Sequence, residues 1–369
     1  MKDLGAKQNP VPTDSKPNGM KQEGGKTIES SNLPFTWRNV NYFVPTKSKE
    51  KLQLLENVSG YVVPGTMTAL MGSSGAGKST LLDVLAQRKT IGTIDGEIFY
   101  GGEKQGKGFK RITGYCEQQD VHNPNTTVRE ALRFSAHLRQ PDDISIAEKD
   151  AYVEEIIDLL EMDDIADALV GDSDSGLGIS LEERKRLTIG VELVAKPKIL
   201  FLDEPTSGLD AQASYTIIRL LTTLAARGQA ILCTIHQPSA ILFESFSNIL
   251  LLGRGGQTIY MSPIGPSSST LLGYLERNGA PPCAPDLNPA EYMLNVIGAG
   301  MSSVGAVDWA EVWEESPERQ QVQAKITDLR SKAAVDEEQS SNKEYTASSS
   351  VQRNEVFKRM FRSYWRMPG

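Results

Sequence analysis

Apolar residues have no period over the first part of the chain. Residues 1 to 33 are rich in Lys, Gly, Pro, Ser and Asn and nearly free of large apolar side chains. Such a segment cannot bury enough surface to offset the entropy of ordering, so it reads as a flexible arm. From Phe35 the pattern changes. "PFTWRNVNYFV", "LQLLENVSGYVV" and "GTMTALMG" are short runs bounded by glycine and proline, as strands are. Helical spacing follows in "TVREALRFSAHLR" and "EKDAYVEEIIDLLEM" and returns in "SYTIIRLLTTLAARG". The apolar runs "KILFLDE" and "QAILCTIH" read as strands flanking that last helix, and "NILLLGRGGQTIYMS" predicts a hairpin. Strands alternating with helices imply an α/β domain with a mainly parallel sheet.

After residue 300 the texture turns polar, and residues 301 to 350 read as a polar linker with helical pieces. Residues 351 to 369 break that texture. Val356, Phe357, Met360, Phe361, Tyr364 and Trp365 recur at helical spacing, with Lys358, Arg359, Arg362 and Arg366 between them. A basic amphipathic helix of this kind lies in a bilayer interface with its cations toward anionic headgroups; a surface helix packed on its own domain fits the same pattern.

The net charge of −8 argues against a generic basic face for nucleic acid. Cys116, Cys233 and Cys283 are far apart and without histidines at metal-ligand spacing, so they read as reduced thiols. No apolar run approaches the roughly 18 to 20 residues of a membrane-spanning helix.

Chemistry concentrates in two stretches. "GSSGAGKST" follows a strand-like run and opens a helix: Gly72, Ser73, Ser74, Gly75, Ala76, Gly77, Lys78, Ser79 and Thr80. The glycines let backbone N–H groups wrap phosphates, Lys78 offers a cation to the β- and γ-phosphates, and Ser79 offers its hydroxyl to Mg2+. "ILFLDEP" ends an apolar strand in two acids, Asp203 placed for the Mg2+ shell and Glu204 placed to polarise the attacking water. Together they imply ATP or GTP with Mg2+.

With "GYCEQQD" after the first of these stretches, and "SGLDA" and "CTIHQPS" after the second, residues 35 to 300 resemble the nucleotide-binding domain of an ATP-binding-cassette protein. The resemblance implies a P-loop cassette over residues 34 to 300, with an antiparallel β subdomain around the N-terminal strands and an α-helical subdomain around residues 122 to 195. It makes Gln118 the Q-loop residue reaching metal and water, Asp210 the D-loop residue at a dimer seam, and His236 the switch histidine on the γ-phosphate. Val44, with Tyr42 and Phe43 beside it, stands near where relatives stack adenine, and that assignment stays open.

"TVREALRFSAHLR", "RKRLTIGVEL" and "ERNGAPPCAPDLNPAEYMLNVIGAG" are similar to the subfamily G, pleiotropic-drug-resistance branch of full-length exporters. That resemblance implies ATP-driven efflux of hydrophobic compounds or drugs at the cytosolic face of a membrane, in practice the plasma membrane. It also implies transmembrane domains as partners and makes residues 351 to 369 the elbow before the first of them. A soluble regulatory ATPase or nucleotide-binding module without transport is the alternative.

One motif departs from the family. Where relatives carry L-S-G-G-Q, this chain has Ile179, Ser180, Leu181, Glu182 and Glu183. In an intact motif the serine, the glycine N–H groups and a helix N-terminus grip the γ-phosphate held by a partner cassette. Leu181 and Glu182 add bulk, and the two glutamates add like charge beside a phosphate. Ser180 to Glu183 also fits a capping box. Such asymmetry resembles the second cassette of fungal exporters in this branch, and it implies a partner cassette whose own signature is intact.

Overall fold

The structure, a computed structural model, describes residues 32–47, 50–172, 176–298, 307–335 and 345–367. Residues 1 to 31 of the expected arm lie outside them. In chain order the first part holds β1 (Phe35–Pro45), β2 (Lys51–Val62), β3 (Met67–Gly72), α1 (Lys78–Leu85), β4 (Thr93–Tyr100), β5 (Glu103–Lys104) and β6 (Thr113–Cys116). The helices α2 (Val128–Arg139) and α3 (Ile146–Leu159), a short ribbon of β7 (Gly171–Asp172) and β8 (Leu177–Gly178), and α4 (Leu181–Leu193) come next. Then follow β9 (Ile199–Leu202), α5 (Ala211–Ala226), β10 (Ala230–Thr234), α6 (Ala240–Phe243), β11 (Asn248–Leu252) and β12 (Thr258–Pro263). The last described helices are α7 (Ser269–Arg277), α8 (Pro289–Val296), α9 (Trp309–Glu315), α10 (Pro317–Lys332) and α11 (Ser349–Trp365).

Two sheets carry the fold. The central one has the order β12-β11-β3-β10-β9-β6, parallel throughout except for the antiparallel hairpin of β11 and β12. Every residue of β3, β9, β10 and β11 is buried, which is why these runs are almost wholly apolar, with Thr68 of β3 a polar residue inside its run. The second sheet, β2-β1-β4-β5, is antiparallel. An aromatic cluster docks it onto the first: Phe35 of β1 stacks on Phe109 at 5.6 Å and meets the edge of Phe201 of β9 at 5.7 Å. Beside it Trp37 lies so close to β2 that a Cβ on Gly60 would stand 2.5 Å from the indole. The helices α2, α3 and α4 form the helical subdomain, each opened by a Ser or Thr cap with a glutamate three residues on.

Among the described residues of the stretch read as a polar linker with helical pieces, two helices pack on the folded unit. Trp313 of α9 packs against Tyr260 and Tyr274 at 6.2 and 6.4 Å, and Trp309 against Tyr274 at 6.4 Å. Although α10 is polar over most of its surface, Val322 and Ile326 face the core and are buried. Arg330 of α10 bonds Glu97 of β4 at 2.8 Å and lies 4.0 Å over the ring of Phe99. Two apolar residues one turn apart are too thin a signal to stand out in a polar sequence, and polar contacts such as those of Arg330 with Glu97 and of Arg38 with Thr327 help seat the helix.

The terminal α11 packs on α2 with its polar side. Arg366 bonds the Glu130 carboxylate at 2.6 and 3.0 Å, Glu355 faces His137 at 3.4 Å, and Arg359 lies 4.5 Å over Phe134. The basic side chains expected to reach for lipid headgroups are instead turned onto the protein, where carboxylates and an aromatic face await them. The apolar side looks outward: Phe357, Phe361 and Trp365 are 69, 56 and 71% exposed. Among the described residues no helix is long and apolar enough to cross a membrane.

Removing most of the Ile326 side chain tests whether α10 belongs to the core. Ile326→Ala should lower the unfolding free energy by about 2 to 4 kcal/mol in chemical denaturation, as a buried large-to-small change does; an unchanged midpoint would mean that α10 is only a linker.

Candidate nucleotide site

The site lies at the ends of parallel strands. The loop after β3 turns sharply because Gly72 and Gly77 hold φ of +149° and +89°. A side chain on Gly72 would also collide with the Leu252 carbonyl at 2.2 Å. This turn delivers Lys78 and Ser79 at the start of α1, beside the acids that follow β9 and the histidine that follows β10. Ser74, Gly75, Gly77, Lys78, Ser79, Thr80, Glu204 and His236 line one cavity of about 430 Å³.

Lys78 is buried, and its Nζ donates to the carbonyls of Gly72 and Ser73, both at 3.0 Å. Burial pulls its pKa below the usual lysine range, against the opposing pull of Glu204 and Asp203. A phosphate entering the cavity would give the ammonium the anion it lacks and replace two neutral carbonyl bonds with charge-assisted ones. Ser79 Oγ donates to Asp203 Oδ1 at 3.0 Å. These two hard oxygen donors, from the loop and from the acidic strand, suit Mg2+.

Glu204 sits at φ +46°, a left-handed backbone unusual for a residue with a side chain. Its backbone N–H donates to Thr234 Oγ1 at 2.7 Å, and its Oε2 accepts from Gln118 Nε2 at 3.0 Å. The structure therefore brings Gln118, Glu204, Asp203, Lys78, Ser79 and His236 to one rim. Two predicted site features stand apart from that rim. Asp210 caps α5 by accepting from the Ala213 N–H at 2.8 Å. Ser180 to Glu183 open α4. Tyr42 is buried and its hydroxyl donates to the Ile91 carbonyl at 2.6 Å, the bonding of a packed strand residue.

At the start of α4 the capping box is closed on itself. Ser180 Oγ accepts from the Glu183 N–H at 3.3 Å, and Glu183 Oε2 accepts from the Ser180 N–H at 2.7 Å. Arg186 reaches Glu182 one turn earlier at 3.5 Å. Leu181 is 48% exposed. At this helix end the Ser180 N–H is thus taken by the Glu183 carboxylate and the Glu183 N–H by the Ser180 hydroxyl, and the carboxylate places negative charge where an anion would bind.

A buried ion pair that sequence reasoning missed ties α4 to the Gln118 loop. Lys185 Nζ bonds Asp120 Oδ2 at 2.7 Å, with both side chains almost fully buried, and donates to the Gln118 carbonyl at 3.0 Å. Thr188 Oγ1 donates to the other oxygen of Asp120 at 2.6 Å and lies 2.8 Å from His122 Nε2. Burial pulls the His122 pKa below its usual range. Thr234 was missed as well. Its signal was a hydroxyl at the end of an otherwise apolar strand, Ala230–Thr234.

Fold and site together define a P-loop nucleotide-binding domain. The comparisons narrow it. Residues 55–207 match the family model described as ABC transporter. Over 90% of its length the chain is 54% identical to ABC transporter G family member 21 of Dictyostelium discoideum, covering 23% of that protein. Over 98% of its length it is 52% identical to ABC multidrug transporter atrG of Aspergillus oryzae, covering 24%. It thus spans about a quarter of the length of the curated relatives it matches. Among solved structures, the dimeric bacterial cassette MJ0796 superposes with a TM-score of 0.53 at 21% identity, over 63% of this chain and 99% of that one. The ADP conformation of the cassette MJ1267 gives 0.55 at 19% identity, over 66% and 95%. These two carry the fold alone. The chain carries an ABC transporter domain: it is a nucleotide-binding cassette, similar to ABC transporter G family members, and cassettes of this kind are ATP hydrolases.

Proposed function

We propose that this cassette is one of two that power a membrane exporter of hydrophobic compounds, and that it supplies the working half of one ATP site and a disabled half of the other. The observation that carries the reading is a contrast within the chain. The Lys78 cavity has its cation, its Ser79–Asp203 oxygen pair and an acid held at two points, whereas the α4 N-terminus has closed its capping box on Glu183. The name of the Aspergillus oryzae relative, a multidrug transporter, supports drug efflux, and the dimeric MJ0796 cassette supports pairing with a second cassette.

In this reading Lys78 leaves the carbonyls of Gly72 and Ser73 for the β- and γ-phosphates of ATP. Ser79 and Asp203 hold Mg2+, which when bound neutralises charge on the phosphates. Gln118 gives up its bond to Glu204 as a water takes its place, and Glu204 accepts that water's proton as its oxygen bonds to the γ-phosphorus in line and the bond to the β-phosphate oxygen breaks, releasing ADP. His236 contacts the γ-phosphate from the end of β10. Asp210 and the intact signature of the partner complete the site across the seam. The facing site, with Leu181, Glu182 and Glu183 against a phosphate, is a poor place for hydrolysis. The transmembrane domains of the same transporter choose the exported compound. Their neighbour in this chain is α11, whose outward Phe357, Phe361 and Trp365 rest on the cytosolic face of the membrane, the plasma membrane by resemblance, while its basic side holds α2.

In the complete exporter Glu204→Gln should lower ATPase activity by roughly 100-fold or more, the scale of a lost general base, while Glu183→Gln leaves it within about twofold, the scale of a surface change. Comparable losses from both would mean that the signature here is a working one. Flotation of this chain with liposomes should drop on Phe361→Ala combined with Trp365→Ala and should survive high salt, because insertion is apolar. Binding that is unchanged by the substitutions would remove α11 from the membrane surface.

A further inference from the structure

We infer that Thr234 is a positioning residue for ATP hydrolysis, its single hydroxyl setting both acids at the end of β9. The inference rests on the reading of Glu204 as the general base. Thr234 is the last residue of β10 and is fully buried. A hydroxyl there is costly unless it is bonded, and a valine of the same shape would fill the space in a strand whose other residues are apolar or thiol. The hydroxyl is bonded twice. It donates to Asp203 Oδ1 at 2.6 Å and accepts from the Glu204 N–H at 2.7 Å.

Thr234 has one hydrogen, so the direction of both bonds is set: the proton goes to the carboxylate and the lone pair receives the amide. Each bond answers a need of the site. Asp203 Oδ1 also accepts from Ser79 Oγ at 3.0 Å, and two donors converging on one oxygen fix the plane of the carboxylate that faces the phosphate loop. Glu204 lies beyond the last residue of β9, so its N–H has left the strand, and at φ +46° its backbone keeps that conformation only while the surroundings hold it. Thr234 holds the backbone end of Glu204, and Gln118 holds the carboxylate end at 3.0 Å. When Gln118 lets go so that a water can enter, the Thr234 bond is the one that still places the base. Thr234 touches neither phosphate nor water in this arrangement and acts through the two acids.

The test compares Thr234→Val, which keeps the shape and removes the hydroxyl, with Thr234→Ser, which keeps the hydroxyl, in the complete exporter. Thr234→Val should lower kcat for ATP roughly 10-fold or more, the effect of leaving a buried amide and a carboxylate without their partner. KM for ATP should stay within about twofold, because Lys78 and the loop N–H groups that bind phosphate are untouched. Thr234→Ser should recover kcat to within about threefold, since the donor and acceptor return. Should Thr234→Val fail to accumulate, Thr234→Cys, a weak donor of similar size, carries the same expectation. A near-normal kcat in Thr234→Val, or an equal loss in Thr234→Ser, overturns the inference. Glu204→Gln measured alongside separates the two claims. If it stays active, the general-base reading has failed; if it is inactive while Thr234→Val is normal, only the role of Thr234 has failed.

Discussion

The parallel register of β3, β10, β9 and β6 is the constraint on which the site depends. In a parallel sheet all C-terminal strand ends fall on one edge, and ligands bind in the crevice beyond that edge. Here Leu70 of β3 stands beside Thr234 of β10, Cys233 beside Leu202 of β9, and Leu202 beside Cys116 of β6. A phosphate loop, a hydroxyl, two acids and a glutamine loop from distant parts of the sequence therefore reach one rim without any of them being long. Because the strands are buried on both faces, a polar side chain at a buried strand end, such as Thr234, needs a partner inside the protein. The chain of bonds from Ser79 through Asp203 and Thr234 to Glu204 is how this rim meets that demand.

Polar groups, partnered differently, separate the two surfaces proposed to act on nucleotide. At the rim the internal partners are exchangeable: Lys78 rests on neutral carbonyls and Gln118 on a carboxylate, and a phosphate or a water can take over either bond. At the start of α4 the partner is Glu183, three residues away, charged and tethered, and a phosphate would have to displace an anion from the helix end that best stabilises it. Lys185 and Asp120 join these surfaces through the Gln118 loop. Because that pair is buried, α4 cannot shift without moving the loop or breaking a costly contact.

Much of this was legible in the sequence, and the limits are physical. The phosphate loop, the acidic strand and the capping box are contiguous motifs whose residue types follow from the bonds they make, so Lys78, Ser79, Asp203 and Ser180 to Glu183 could be read directly. The central strands were visible because burial on both faces leaves them mostly apolar. Thr234, by contrast, acts on residues brought near only by strand pairing, and Lys185 looked like one cation in "ERKR" on a helix surface. The packing of the helix Pro317–Lys332, in a stretch that reads as a polar linker with helical pieces, was hidden because only two of its residues, Val322 and Ile326, are buried apolar anchors. The direction of the last helix was half legible. Its two faces were plain, but which one meets the protein depended on Glu130 and Glu355, and only the fold places Glu130 beside it.

The claim that one surface works and the other is closed is tested most directly by the structure of the complete exporter carrying Glu204→Gln, determined with Mg-ATP. The nucleotide in the Lys78 cavity should then be capped by the partner's signature, with the Ser180 to Glu183 capping box still closed and making no contact to the γ-phosphate of the other nucleotide. A capping box opened by that phosphate, with Ser180 Oγ and the first N–H groups of α4 bonded to it, would contradict the assignment.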